Sequence, residues 1–360
     1  MPIFVGKILE RSVFFLYECS QSAKRLLRGG AACLLALFLC GSLGTGAVDV
    51  TGTAFSARML VPVGHTVGIK LFSKGVVVVK MADGGSPAKA CGLQTGDVIL
   101  QCGGAAVTST EHFQSLLQKN GGNSTDLQIR RNGGSMSLQV EPEPNEQGMY
   151  CIGAWIRDSM AGIGTVTYYD PATGAFGALG HGITDVDTAL LMPFSNGSIL
   201  SSTVKAVKKG QAGAAGELRG DFDLTCDLGK LYANTNNGIF GTLDECGNLP
   251  VQEKALPVGQ AVAGKAVIRS NVCGNAVEEF DIKILKVISN AEDGRDMVIS
   301  VTDPALLAST GGIVQGMSGS PIIQNGRIVG AVTHVLVNDP TRGYGIFIEN
   351  MLEAAGGGNG

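Results

Sequence analysis

The chain has 360 residues, 27 Lys and Arg against 31 Asp and Glu, and a net charge of −4. With no basic block outside the N-terminal segment, this balance speaks against a nucleic-acid-binding protein. Only 16% of residues are charged, Gly occurs 53 times and Trp once; short Val, Ile and Leu runs between glycines predict a mainly β chain, long enough for about two domains.

The first 49 residues read as a leader. Lys24, Arg25 and Arg28 precede an apolar run over residues 31–39 that continues less purely to Val48. A basic flank, an apolar stretch and then small residues describe an export signal. Counted over residues 31–48 it reaches 18 residues, near the length of a membrane span. A signal or anchor helix that is retained or slowly processed is expected. Of nine cysteines, Cys19, Cys33 and Cys40 lie in this leader, and the others are scattered without a C-x-x-C pair. Disulfides suit an exported chain, but spacing assigns none. No close Cys/His cluster suggests zinc, and no metal or organic cofactor is implied.

Residues 50–145 show short strands, glycine turns and helices. An alternating strand around Val67-Gly68-Ile69 is followed by the apolar run Val76-Val77-Val78-Val79. A short helix starts at the Ser86-Pro87 cap and stops at Gly92. Residues 109–119 form an amphipathic helix with Phe113, Leu116 and Leu117 on one face. A last hairpin turns through Asn132-Gly133-Gly134. The string S-P-A-x-x-x-G-L-x-x-G-D-x-I-L over residues 86–100 resembles the signature of PDZ domains, small α+β units with a partly open barrel. That resemblance implies a groove for an extended peptide, with Val67, Gly68 and Ile69 where the carboxylate-binding loop would lie. His65 and His112 are read as surface or groove residues. Glu141-Pro142-Glu143-Pro144-Asn145 reads as a stiff linker and domain boundary.

Residues 146–360 give many short strands without long helices, the pattern of a barrel or sandwich. Near the end stands Gly316-Met317-Ser318-Gly319-Ser320-Pro321, which matches the G-x-S-G-x-P nucleophile loop of chymotrypsin-like serine proteases. Such a loop exposes a serine hydroxyl while the N–H groups of Gly316 and Ser318 turn toward an oxyanion. The Asn325-Gly326 hairpin after it fits a β-barrel. A serine needs a base, and this unit has two histidines. His181 lies between glycines in a strand-end loop upstream of the serine, as the base of such proteases does. His334 lies on the strand after the nucleophile and is assigned a core or strand-edge role. Candidates for the acid are Asp170, Asp185, Asp187, Asp221, Asp223, Asp281 and Asp303.

The succession of the PDZ-like unit, G-H-G-I-T-D at residues 180–185 and T-G-G-I-V-Q-G-M-S-G-S-P-I at 310–322 resembles the SpoIVB family of sporulation serine peptidases of endospore-forming Firmicutes. The resemblance implies a trypsin-like peptidase domain with Ser318 as nucleophile, His181 as base and Asp303, 15 residues before the serine, as acid. It further implies export across the forespore membrane into the intermembrane space, self-cleavage, and cleavage of the extracytoplasmic part of a membrane-bound regulator of an intramembrane protease, so that a late sigma factor is activated. The expected partners are that protein substrate, the chain itself, a peptide ligand of the PDZ unit, and the membrane through the N-terminal segment. An HtrA-like quality-control protease is the nearest alternative, although there the protease precedes the PDZ unit. A catalytically inactive PDZ scaffold is the other, and intact Ser318 and His181 speak against it.

Overall fold

The computed structural model describes residues 58–244, 249, 254–289, 291 and 293–356, all within one compact unit spanning Ala54–Gly360. The leader with its expected signal or anchor lies outside the described residues. Among the described residues no helix is long and apolar enough to cross a membrane.

The chain enters through β1 (Met59–Pro62) and the long β2 (Thr66–Met81). The first half of β2 buries Val67, Ile69 and Leu71 on one face, and its second half is the continuous apolar run Val76–Val79. Then come α1 (Pro87–Ala90), capped by the Ser86 hydroxyl oxygen, β3 (Val98–Cys102), β4 (Ala105–Ala106) and α2 (Thr110–Asn120), capped by Ser109. β5 (Thr125–Arg131) and β6 (Gly134–Val140) form the predicted hairpin, with Ile129 opposite Met136. β7 (Glu143–Pro144) and β8 (Tyr150–Cys151) pair as a small ribbon. Val76, Val78, Ile99, Phe113, Leu117, Ile129 and Ile152 make a core of their own for this PDZ unit. Burial of that many large apolar side chains, each about 1.5–3 kcal/mol, outweighs the weak propensity of so short a helix as α1.

β9 (Ala154–Asp170) starts in the PDZ unit and ends outside it. Its first residues pair with the end of β2 (Ala154 opposite Met81, Arg157 opposite Val77) and its middle pairs with the start of β2 (Ser159 opposite Phe72, Thr165 opposite Thr66). Between Phe72 and Val77 the ladder slips, and there the sheet passes from one unit to the other. β10 (Ala175–Ala178), β11 (Phe194–Lys208), β12 (Glu217–Thr235) and β13 (Gly238–Leu243) follow. Strands β2, β9, β10, β13, β12 and β11 each hydrogen-bond to the next, and β11 returns to β2. This is a six-stranded antiparallel barrel with Val67, Ile69, Val166, Phe176, Ile199 and Ile239 inside. β14 (Leu256–Pro257) adds to its edge through β1.

A second closed barrel holds β15 (Gly264–Cys273), β16 (Ala276–Val287), β17 (Met297–Val301), β18 (Pro321–Gln324), β19 (Arg327–Leu336) and β20 (Asp339–Phe347). Helix α3 (Pro304–Thr310) lies between β17 and β18, and α4 (Ile348–Gly356) closes the chain. Two six-stranded barrels in succession bear out the expected trypsin-like architecture.

The domain order differs from the expected 50–145 followed by 146–360. The start of β2, read as a PDZ strand, belongs to the first barrel, and the PDZ unit is inserted between the two shared strands β2 and β9. The acidic Pro-containing stretch at residues 141–145 is no boundary, because Ile152 and Ile156 still pack on the PDZ core and the Tyr150 carbonyl accepts from Gln114 and Gln118 of α2.

Candidate active site

The loop over residues 311–320 joins α3 to β18, and its residues are fixed by hydrogen bonds to both barrels. Gln315 donates from its N–H to the Gly216 carbonyl and accepts at its own carbonyl from Leu218 N–H. The Met317 carbonyl accepts from Ser320 N–H at 2.9 Å. A trans peptide points its N–H opposite to its C=O. Fixing the Gln315 and Met317 carbonyls therefore aims the N–H groups of Gly316 and Ser318 the other way. Neither N–H has a hydrogen-bond partner among the described residues. Two unpaired donors beside a serine are what an oxyanion site requires.

The loop carries two serines with different surroundings. Ser320 is fully buried, and its Oγ donates to Ser270 Oγ at 3.1 Å. Ser318 is half-buried, and its Oγ donates to the Thr333 carbonyl at 2.7 Å. Its hydroxyl thus rests on β19.

His181 follows Leu179 and Gly180, both at positive φ (68° and 70°), at the end of β10. A Cβ on Gly180 would sit 2.9 Å from Thr333 Cγ2 and Ile346 Cγ2, so only glycine lets this loop lie against the second barrel. His181 Nδ1 lies 2.9 Å from the Gly182 carbonyl. A carbonyl oxygen only accepts, so Nδ1 carries the proton and Nε2 keeps its lone pair, the tautomer a general base needs. Burial holds the His181 pKa below the ordinary imidazole value, against a smaller upward effect of the Gly182 bond.

The other ring of this centre is His334. Its centroid lies 5.1 Å from that of His181. Burial, then the neighbouring His181 and Arg295, push its pKa down to about 4, so it is neutral at physiological pH. Its Nδ1 is buried without a partner. His334 lies on a strand, as the core or strand-edge reading has it, and β19 also presents the Thr333 carbonyl to Ser318 and the His334 ring to His181. Alternation along a strand gives no sign of this, since the meeting depends on how the two barrels face each other.

Asp303 stands elsewhere. Its Oδ1 accepts from Ala305 N–H and Leu306 N–H at 2.9 Å, the N-cap of α3, and its Oδ2 accepts from Asp281 N–H at 3.4 Å. The acid role implied by the resemblance is thus not what its contacts describe, and among the described residues no carboxylate hydrogen-bonds either imidazole. A Ser/Thr/Asp/Asn before Pro at a helix start is an N-cap pattern, and that signal was present in Asp303-Pro304.

The hairpin after His181 is held at two points that sequence reading missed. Asn234 of β12 accepts from Ile183 N–H at 2.8 Å and donates from Nδ2 to the Ile183 and Met192 carbonyls. Arg157 of β9 ion-pairs with Asp185, which is buried, and with Asp187 at 2.8 Å. The same hairpin and the PDZ strand β3 line a cavity of about 350 Å³, with Val98, Arg130, Leu190 and Met192 among its walls.

Val67, Gly68 and Ile69 form no carboxylate loop. They lie in the first barrel between β9 and β11, Gly68 opposite Ile163 and Leu200. The strand between the end of β2 and α2 is instead the start of β9, preceded by Tyr150-Cys151-Ile152-Gly153. Tyr150 takes hydrogen bonds from Gln114 and Gln118 of α2, and Asp158 accepts from Thr110 at the other end of that helix. His65 is buried rather than on a surface, and burial lowers its pKa; His112 Nδ1 meets Thr108 Oγ1 at 2.8 Å. Cys91, Cys102, Cys151, Cys226 and Cys273 are free thiols. No group of three metal-binding side chains occurs among the described residues.

A double barrel with a half-buried loop serine, unpaired loop amides and a histidine whose Nδ1 carries the proton, with an inserted PDZ unit, is the arrangement of a serine peptidase. The family model for SpoIVB peptidase S55 matches residues 148–352, and a PDZ domain model matches residues 78–131. The chain belongs to the SpoIVB peptidase S55 family.

Partial likenesses extend further. A putative zinc metalloprotease of Clostridium perfringens is 35% identical over 68 residues, 19% of this chain and 20% of that protein. Zinc metalloprotease RasP of Oceanobacillus iheyensis is 39% identical over 57 residues, 16% of this chain and 13% of that protein. The chain thus spans a fifth or less of the curated relatives it matches. Among solved structures, the PDZ domain of an SdrC-like protein from Listeria monocytogenes has a TM-score of 0.21 at 21% identity, covering 23% of this chain and 87% of that one. The active form of the Rv3671c protease from M. tuberculosis has a TM-score of 0.30 at 14% identity, covering 55% and 75%. The HtrA-type protease AlgW with a decapeptide has 0.32 at 14%, covering 56% and 53%.

Proposed function

We propose that this chain is a signalling endopeptidase of sporulation. In this reading it is exported across the forespore membrane through its N-terminal segment and cleaves itself. It also cuts the extracytoplasmic part of a membrane-bound regulator of an intramembrane protease, which leads to late sigma-factor activation. Family membership supports this role, as does the presence of a PDZ unit, a kind of domain that takes extended peptides. The observation that carries the catalytic part is the His181 tautomer beside a serine loop with two unpaired N–H groups.

In this mechanism Ser318 Oγ leaves the Thr333 carbonyl and attacks a peptide carbonyl, while His181 Nε2 takes its proton. The N–H groups of Gly316 and Ser318 bind the tetrahedral oxyanion. Collapse breaks the C–N bond as the imidazolium protonates the leaving amine, and a water activated by His181 then hydrolyses the acyl-enzyme. Gly182 O holds the base, and Asp303 fixes the start of α3 ahead of the loop. The HtrA-like reading draws on the same centre but places the PDZ unit after the protease, whereas here it interrupts the first barrel.

The test compares full-length wild type with Ser318→Ala, with fragments identified by mass spectrometry and casein as a second substrate. Discrete self-cleavage only in the wild type, with casein left largely intact, is expected. General casein degradation would replace the signalling role by quality control.

A further inference from the structure

We propose that Thr165 of β9 is a positioning residue of the oxyanion loop, the clasp by which the first barrel sets the two free N–H groups of the second. This rests on the serine-peptidase reading of Ser318. Thr165 is fully buried. Its Oγ1 donates to the Gly316 carbonyl at 2.7 Å, and its N–H donates to the Ser318 carbonyl at 2.9 Å. One residue thus grips both residues whose amides are unpaired. Its own carbonyl accepts from Leu179 N–H at 3.1 Å, two residues before His181, so the base loop hangs from the same point.

The contact has little slack. A Cβ on Gly319 would collide with the Thr165 carbonyl oxygen and with Leu179 N, so the loop approaches β9 as closely as a backbone can. Gly316 has φ +98°, a conformation from which a glycine peptide rotates easily. The Thr165 hydroxyl is the side-chain group that holds the Gly316 carbonyl. Without it that carbonyl is buried and unpaired, and rotating the peptide to satisfy it disturbs the donor geometry at Gly316 and Ser318. Two positions along, Thr167 is also buried but its Oγ1 has no partner. It is a natural control on the same strand.

The experiment uses full-length protein and a fluorophosphonate probe, whose phosphorus forms a bond to the serine oxygen as fluoride leaves and whose P=O takes the oxyanion position. Saturation kinetics separate the maximal labelling rate from the half-saturating concentration. Thr165→Val is expected to lower the maximal rate about 100-fold, as for loss of an oxyanion donor, with half-saturation changed less than about twofold and the thermal midpoint reported alongside. Thr165→Ser, which keeps the hydroxyl, restores the rate to within about threefold, and Thr167→Val leaves it unchanged. Should Thr165→Val not fold, Thr165→Ala carries the same expectation. Wild-type labelling with an unchanged rate in the folded hydroxyl-free variant, or equal loss in the serine and valine variants, overturns the clasp alone. No labelling of the wild type at Ser318 overturns the serine-peptidase reading and the clasp with it.

Discussion

At the scale of single residues, the two histidines of the centre differ in what they cost. His334 is held neutral in the fold, with its pKa pushed down to about 4, while an unfolded chain binds the proton near the ordinary imidazole value. Between those values the unfolded state holds more protons, so stability falls as pH drops from about 6.5 toward about 4. The loss comes to roughly 3 kcal/mol, since each pKa unit is worth about 1.4 kcal/mol. Thermal midpoints of wild type and His334→Gln, measured across that window, should show a flatter acid limb in the variant; parallel curves would refute the assignment. His181 must be deprotonated to act, and its lowered pKa moves the acid limb of labelling below that of a free imidazole. Asp303 is a cap: Asp303→Ala should cost about 1 kcal/mol, whereas Asp303→Ser, an equally good cap, should label within about threefold of wild type. Abolished labelling in a stable Asp303→Ser protein would restore the acid role.

At the scale of elements, β9 connects what sequence reading kept apart. Its start lies beside α2 in the PDZ unit, Arg157 pairs with the hairpin after His181, and Thr165 holds the serine loop. The Asp185 carboxylate is buried, so removing its cation leaves an unpaired buried charge. Arg157→Ala should therefore loosen residues 183–192 and raise their amide hydrogen exchange while β19 stays protected. Unchanged exchange in that hairpin would mean the ion pairs hold nothing. The nucleophile and base loops were legible because each is written in contiguous residues, glycines around a Ser or a His. The shared strands were not. β2 and β9 read as ordinary strands, and which sheet each half joins depends on partners about a hundred residues away. Nothing in the spelling of Val67-Gly68-Ile69 distinguishes a PDZ loop from a barrel strand.

At the scale of the whole molecule, mainly β character, a PDZ unit and a trypsin-like double barrel follow from composition and motifs; their interleaving follows only from pairing. It has a consequence for dissection. A fragment of residues 50–145 lacks Ile152 and, in the start of β9, Ile156, both of the PDZ core, and carries orphaned barrel strands. A fragment of residues 74–158 keeps both. Dispersed amide NMR spectra are expected from the second and not from the first; a well-folded 50–145 fragment would contradict the insertion. In the proposed mechanism one serine, prepared by His181, does the chemistry. Peptide mapping of the full-length chain after fluorophosphonate treatment tests it most directly. A single adduct on Ser318 that disappears in His181→Ala is expected; an adduct on Ser320 or another residue, or labelling indifferent to His181, would overturn that mechanism.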